Sequence, residues 1–202
     1  MRPTRHPTKE SFLDDVKDHV MTIEHEDGIY RTVRFGKPDK GLFHFKLTTW
    51  PGHLCFSGDM GCYVFSRLPD MFEFFTTSKN DLEINSGYWH EKLVSISRFG
   101  GYSEFSEERF REVIRDYVTS HINHLGLRDA IDLWTEVRDS ILHYGAENEY
   151  QARDLVAQFS HESGFEFGDF WEVTLTEKTY HAIWSLWAIR WGIMKYEANK
   201  NE

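Results

Sequence analysis

The residue types best suited to chemistry gather in one segment, Thr48-Thr49-Trp50-Pro51-Gly52-His53-Leu54-Cys55-Phe56-Ser57-Gly58-Asp59-Met60-Gly61-Cys62-Tyr63. Two glycine-bearing turns put Trp50, His53 and Asp59 near strand ends, where polar groups can converge. With Tyr63, Arg67, Trp89 and His90 they make a candidate ligand-binding set. Aromatic rings would hold a base, a guanidinium would hold a phosphate, and an imidazole and a carboxylate would orient the ligand or move a proton. Such a pocket would lie between the β-rich half of the chain and its helices. Gly58-Asp59-Met60-Gly61 also reads as a plain hairpin turn, with the Asp bonding its own backbone and Gly taking positive φ. That second reading is the more economical.

Other reactive types are sparser. Cys55 and Cys62 stand seven apart across a turn and lack the Cys-x-x-Cys spacing of a zinc site, so they read as reduced, buried thiols. His121 and His124 are three apart on a helix and can share a face, but no third ligand accompanies them. No phosphate-binding Gly-rich loop, Gly-x-Ser-x-Gly turn, His-Glu-x-x-His helix or EF-hand occurs. The sequence therefore designates no catalytic residue, no metal and no cofactor. Glu107, Glu108, Glu112 and Asp116 line one helix, interleaved with Arg109, Arg111 and Arg115. Mixed charges at this spacing usually make a solvated face, yet the same four acids are candidates for meeting a basic partner surface. Trp184, Trp187 and Trp191 form a helical aromatic series suited first to core packing and next to a dimer interface.

The elements that must position these groups follow from hydrophobic period. Apolar residues at helical spacing predict a helix from about Thr8 through Ser11–Glu24, closed at Gly28. Alternation predicts strands over Ile29–Phe35 and Leu42–Leu47 around the turn Gly36–Gly41, then Leu54–Gly58 and Gly61–Ser66. A short helix follows Pro69, and Leu93–Ile96 forms a short strand before Gly100-Gly101. Ser106 opens a helix through Ile122, a second runs from Ile131 to Gly145, and a third covers about Asn148–Glu162. The last, Glu177–Ala198, is apolar nearly all round and should be buried by other helices or by a second copy. The expected fold is α+β in a single domain, residues 1–202. It comprises an N-terminal helix, an antiparallel meander of three to four strands, and a C-terminal cluster of helices.

The chain has 202 residues, with 40% hydrophobic and 16% aromatic content, enough to fill a sizeable core. Its formal charge is −10 and is unevenly spread. Residues 1–100 carry 13 Lys+Arg against 14 Asp+Glu, and residues 101–202 carry 10 against 19. The acidic balance argues against direct nucleic-acid binding. The N-terminal MRPTRHPTKE is basic and lacks an apolar signal core. With no long apolar run and only two cysteines, the expectation is a cytoplasmic protein without a membrane span.

The run Thr49–Arg67, continuing into Leu68-Pro69-Asp70-Met71-Phe72-Glu73-Phe74-Phe75, resembles proteins of unassigned activity encoded by bacteriophages and prophages. The similarity spans the β-rich half and is weaker in the helical half. It implies a genomic setting, with the host bacterial cytoplasm as compartment, and carries over no functional residue. Two functions compete on these grounds. The first is a binding protein that inhibits or redirects a host protein or nucleoprotein complex, such as an anti-CRISPR or other anti-defence inhibitor, with a homodimer among its allowed states. The second is a small-molecule or nucleotide binder, or an enzyme acting on one, using the Trp50–His90 set.

Overall fold

The computed structural model describes residues 6–38, 40–76, 81–98 and 101–200. The basic residues 1–5, Asp39 of the expected turn and Gly100 of the expected boundary lie outside them. Thr8 caps the first helix, α1 (Lys9–Val16), through a reciprocal box with Ser11. Strands β1 (Val20–Asp27), β2 (Tyr30–Lys37), β3 (Lys40–Trp50), β4 (His53–Gly58) and β5 (Gly61–Ser66) come next. Short helices α2 (Met71–Phe74) and α3 (Ser86–His90) precede β6 (Leu93–Ile96). Beyond β7 (Ser103–Phe105) lie α4 (Glu107–Ile122), α5 (Leu127–Val137), which continues through a π-helical turn at Arg138–Leu142, and α6 (Glu149–Ala157). A 3-10 turn at Phe170–Glu172, β8 (Thr176–Lys178) and α7 (Tyr180–Lys200) complete the order.

The fold is α+β as expected, with differences in extent. Strands β1 to β6 form one antiparallel meander in chain order, so the sheet has six strands rather than three to four. Residues 20–24 were expected to extend the first helix, but they begin β1 instead. Val20, Thr22 and Ile23 are β-branched and favour extended backbone. As an edge strand, β1 is exposed along almost its whole length, so it never develops the alternation that identifies a half-buried strand. Gly28, at φ +58, serves the β1–β2 hairpin rather than a helix end.

By contact the chain divides into two units, residues 1–102 with 178–202, and residues 103–177. In the first, Val33 and Phe35, Phe45 and Leu47, Leu54 and Phe56, and Tyr63 and Phe65 alternate inward from four successive strands and are fully buried. Helix α7 covers this face. Gly192 lets the helix backbone approach so closely that a Cβ there would stand 2.9 Å from Leu47 and 3.0 Å from Phe35. From α1, Phe12 packs on the rings of Trp184, Trp187 and Trp191 at centroid distances of 5.1, 6.5 and 6.3 Å. The apolar girth of α7 is thus satisfied within its unit by the sheet and α1. Each buried side chain of this size contributes about 1.5–3 kcal/mol of transfer free energy.

The second unit has its own core. Phe110, Val113, Ile114 and Val118 of α4 pack with Leu133 and Val137 of α5, Ile141, Ala152 and Val156, and with Phe165, Phe170 and Leu175 from the long connection after α6. Ser106, itself buried, caps α4 by accepting the Arg109 N–H at 3.1 Å. Among the described residues no helix is long and apolar enough to cross a membrane.

Candidate functional site

The seven residues of the sheet-side set fall in three places. Trp50 and His53 end β3 and begin β4, where the Pro51-Gly52 turn stacks their rings 5.1 Å apart with planes 7° from parallel. His53 Nδ1 lies 3.0 Å from the Pro51 carbonyl. Arg67 joins this end through its backbone, its N–H donating to the Gly52 carbonyl at 3.3 Å, while its side chain is exposed. Asp59 sits at the other end of β4, about 20 Å along the strand at ~3.3 Å per residue. There it pairs with His44 Nδ1 at 2.9 Å and accepts the His44 backbone N–H.

Tyr63, Trp89 and His90 are buried. Tyr63 points to the inner face of the sheet, where burial raises its hydroxyl pKa. Trp89 packs edge-on to Phe75 at 5.0 Å. His90 Nδ1 lies 2.6 Å from the Ser86 carbonyl, so Nδ1 carries the proton and donates. Its Nε2 is buried with no hydrogen-bond partner among the described residues, and its ring stacks on Tyr102 at 5.5 Å. Burial, assisted by Lys178, holds the His90 pKa down at about 4, against the opposing pull of the Ser86 carbonyl. Of the seven, Trp50 and His53 are the pair whose rings meet.

A polar pair missed in the sequence lies in the same unit. Arg31 on β2 grips Asp70 with two bonds of 2.8 and 2.7 Å and lies over the rings of Phe72 and Tyr196. Asp70 also caps α2 by accepting the Phe72 N–H at 2.9 Å. Burial pushes its carboxyl pKa up, but the Arg31 and Phe72 bonds outweigh this and hold it below its ordinary value. The pairing spans 39 residues, too long a separation for any spacing rule to reveal. Its partners are all internal, which makes it a structural clip.

The helical unit presents a different kind of site. The core of α4 lies on one side, leaving Glu108, Glu112 and Asp116 at four-residue intervals along an exposed stripe. Glu107 is turned to internal use. Arg111 donates to it at 3.0 Å and 2.7 Å, and also donates to the Leu142 carbonyl at 2.7 Å. Gly145, at φ +66, is the residue against which this pair lies. Glu112 pairs with Arg109 at 3.4 Å. Of the four acids read from the sequence, Glu108 and Asp116 are the ones whose carboxylates have no described partner.

Charge follows the division into units more sharply than the division into halves. Residues 103–177 hold 17 Asp+Glu, six Arg and no Lys, a balance of −11. All other residues hold 16 acids against 17 bases, a balance of +1. Four of the six arginines are already bonded to neighbouring acids: Arg109, Arg111, Arg138 to Asp139, and Arg153 to Glu149. Tyr144, Tyr150 and Trp171 of the same unit stand largely exposed. His121 and His124 do line one groove, as their spacing implied. Among the described residues, however, no group of three or more His, Cys, Asp or Glu is arranged to hold a metal. Comparison with family models, curated proteins and solved structures gives no match.

Proposed function

We propose that this is a binding protein whose acidic helical unit docks on a basic surface of a host protein or nucleoprotein complex and inhibits or redirects it in the bacterial cytoplasm. An anti-CRISPR or other anti-defence inhibitor is the form this role takes. The observation that carries the reading is the charge division, −11 in residues 103–177 against +1 elsewhere. A lysine-free surface with most of its arginines already paired sets up a negative field like the one nucleic acid sets up. A cleft that attracts phosphate therefore attracts it too. Exposed Tyr144, Tyr150 and Trp171 add the aromatic anchors that give such contacts energy as well as steering. The ligand-pocket alternative draws less support, because Asp59 is remote from Trp50 and His53 while Tyr63, Trp89 and His90 are buried.

The test is affinity capture from a bacterial host lysate with the full chain and with a Glu108→Lys/Glu112→Lys variant. A partner retained in stoichiometric amount, released by raising NaCl from 0.05 to about 0.5 M where the Debye length contracts several-fold, and lost with the variant supports the reading. A partner held equally by the variant and insensitive to salt, or a nucleotide released from the purified chain, would overturn it.

A further inference from the structure

We infer that the groove beside α4 in the helical unit is an arginine site, receiving the guanidinium of a side chain presented by the basic partner. This deepens the docking reading and rests on it for the identity of the partner. The groove has a volume of about 460 Å³ and lies between the C-terminal half of α4 and the Phe165-Glu166 segment of the long connection. Its charged lining consists of Asp116 and Glu166, with no lysine or arginine. The other polar groups are partly committed. The Tyr117 hydroxyl donates to the Gly168 carbonyl at 2.9 Å, and Ser120 bonds back to the Asp116 carbonyl. The Asp116 and Glu166 carboxylates have no described partner and remain available as acceptors. Ring surface comes from half-buried Tyr117 and His121, the latter set edge-on at 4.8 Å against Phe165, which is buried behind it.

These features select among ligands. Two carboxylates repel a phosphate or carboxylate ligand. A purely apolar ligand would leave both carboxylates desolvated without compensation. The imidazoles and carboxylates are not arranged as a metal site. A guanidinium fits both parts of the lining. It is planar and weakly hydrated, so it lies against aromatic rings, and its fixed fork of N–H donors bonds carboxylates with directional geometry. An ammonium is a compact, strongly hydrated charge that gives up more water and stacks less well. Asp116 therefore has a specific task within the acidic stripe, whereas Glu108 contributes only to the field.

The test is an aromatic ¹H–¹³C NMR titration of the full chain at pH 8. The probes are the peptide acetyl-Gly-Arg-Gly-amide and its citrulline and lysine counterparts. The expected result is saturable shifts of the Phe165, Tyr117 and His121 rings with the arginine peptide. The uncharged citrulline peptide should produce none, and the lysine peptide should bind at least threefold more weakly. Asp116→Asn/Glu166→Gln should weaken arginine binding at least tenfold with an unchanged melting temperature. Equal binding of the citrulline or lysine peptide, wild-type affinity in the variant, or shifts confined to other rings would overturn the assignment. Because Glu108 and Glu112 lie outside the groove lining, the two ideas fail separately. Salt-sensitive capture without ring shifts removes the arginine site and leaves docking intact, and ring shifts without such capture do the reverse.

Discussion

His90 should make the fold acid-sensitive over a window in which most carboxylates are still ionised. Its neutral form is held by the bond from Nδ1–H to the Ser86 carbonyl, and its buried Nε2 lone pair has no partner among the described residues. Protonation would place a charged N–H there. The folded pKa of about 4 lies below the ordinary value of 6.5. Between those two values the unfolded chain takes up a proton that the folded chain refuses. Stability is therefore fully present above pH 6.5 and is lost as pH falls toward 4, at about 1.4 kcal/mol per pH unit. From pH 7.5 to 4.5 the loss due to this one group is about 2.5 kcal/mol, a large share of the roughly 5–15 kcal/mol of an ordinary domain. Urea unfolding followed by tryptophan fluorescence at both pH values, for the wild type and for His90→Gln, isolates the effect, since the other titrating groups are common to both. The wild type should lose about 2.5 kcal/mol more than the variant. Equal losses, or an NMR titration of the His90 ring with a midpoint above pH 6, would refute the reasoning.

Trp184→Ala should cost about 3–5 kcal/mol by chemical denaturation, because the ring is fully buried among Phe12, Phe43, Phe45 and Phe56 and donates to Asp15 at 2.9 Å. Gly145→Ala should lower thermal stability by about 2–3 kcal/mol, since a Cβ at φ +66 would also press on Glu107 and on Arg111 at 2.8 Å. Gly164→Ala, with a similar φ of +74 but open space around it, should cost only about 1–2 kcal/mol, and the difference between the two melts measures the Glu107–Arg111 clip. Ellman titration should find two thiols in the unfolded chain. In the folded chain at pH 8 Cys55 should react slowly, because burial and the neighbouring Cys62 raise its pKa to about 12.

Alternation was legible wherever one face of a strand met the core. Val33 and Phe35, Phe45 and Leu47, and the pairs on β4 and β5 all read correctly because burial imposes the period of two. Strand β1 did not read, because an exposed edge leaves its side chains free of that constraint and Val16, Val20 and Ile23 fall at helical intervals by chance. Helices α4 and α7 were visible from Ser106 and from the apolar series 183–194, whereas the partner of α7 was not. An all-round apolar helix does not indicate whether a sheet or other helices will cover it. For the site, the acids of α4 were found from local spacing, but their division into engaged and available groups depends on Leu142 and Gly145, more than 30 residues away. The charge division was present in the composition, but counting it correctly requires the unit boundaries at 102/103 and 177/178, which only long-range contacts define.

The pairing of β7 with β8 brings the two connections of the helical unit side by side, with the Thr179 N–H donating to the Tyr102 carbonyl at 3.0 Å. In the order of synthesis this makes the acidic unit an interruption. A ribosome completes all six strands by residue 96, then makes 75 residues of a separate core, and only afterwards emits the helix that seals the sheet. At about 5–20 residues per second the greasy inner face waits on the order of seconds for its cover. A chain stopped anywhere between 103 and 180 would hold a finished set of strands with nothing to close them. The lysine-free, strongly negative segment emerging in that interval would keep such nascent chains apart by mutual repulsion. The same stretch of sequence would then act as a solubilising guard during manufacture, before the fold that carries it is complete.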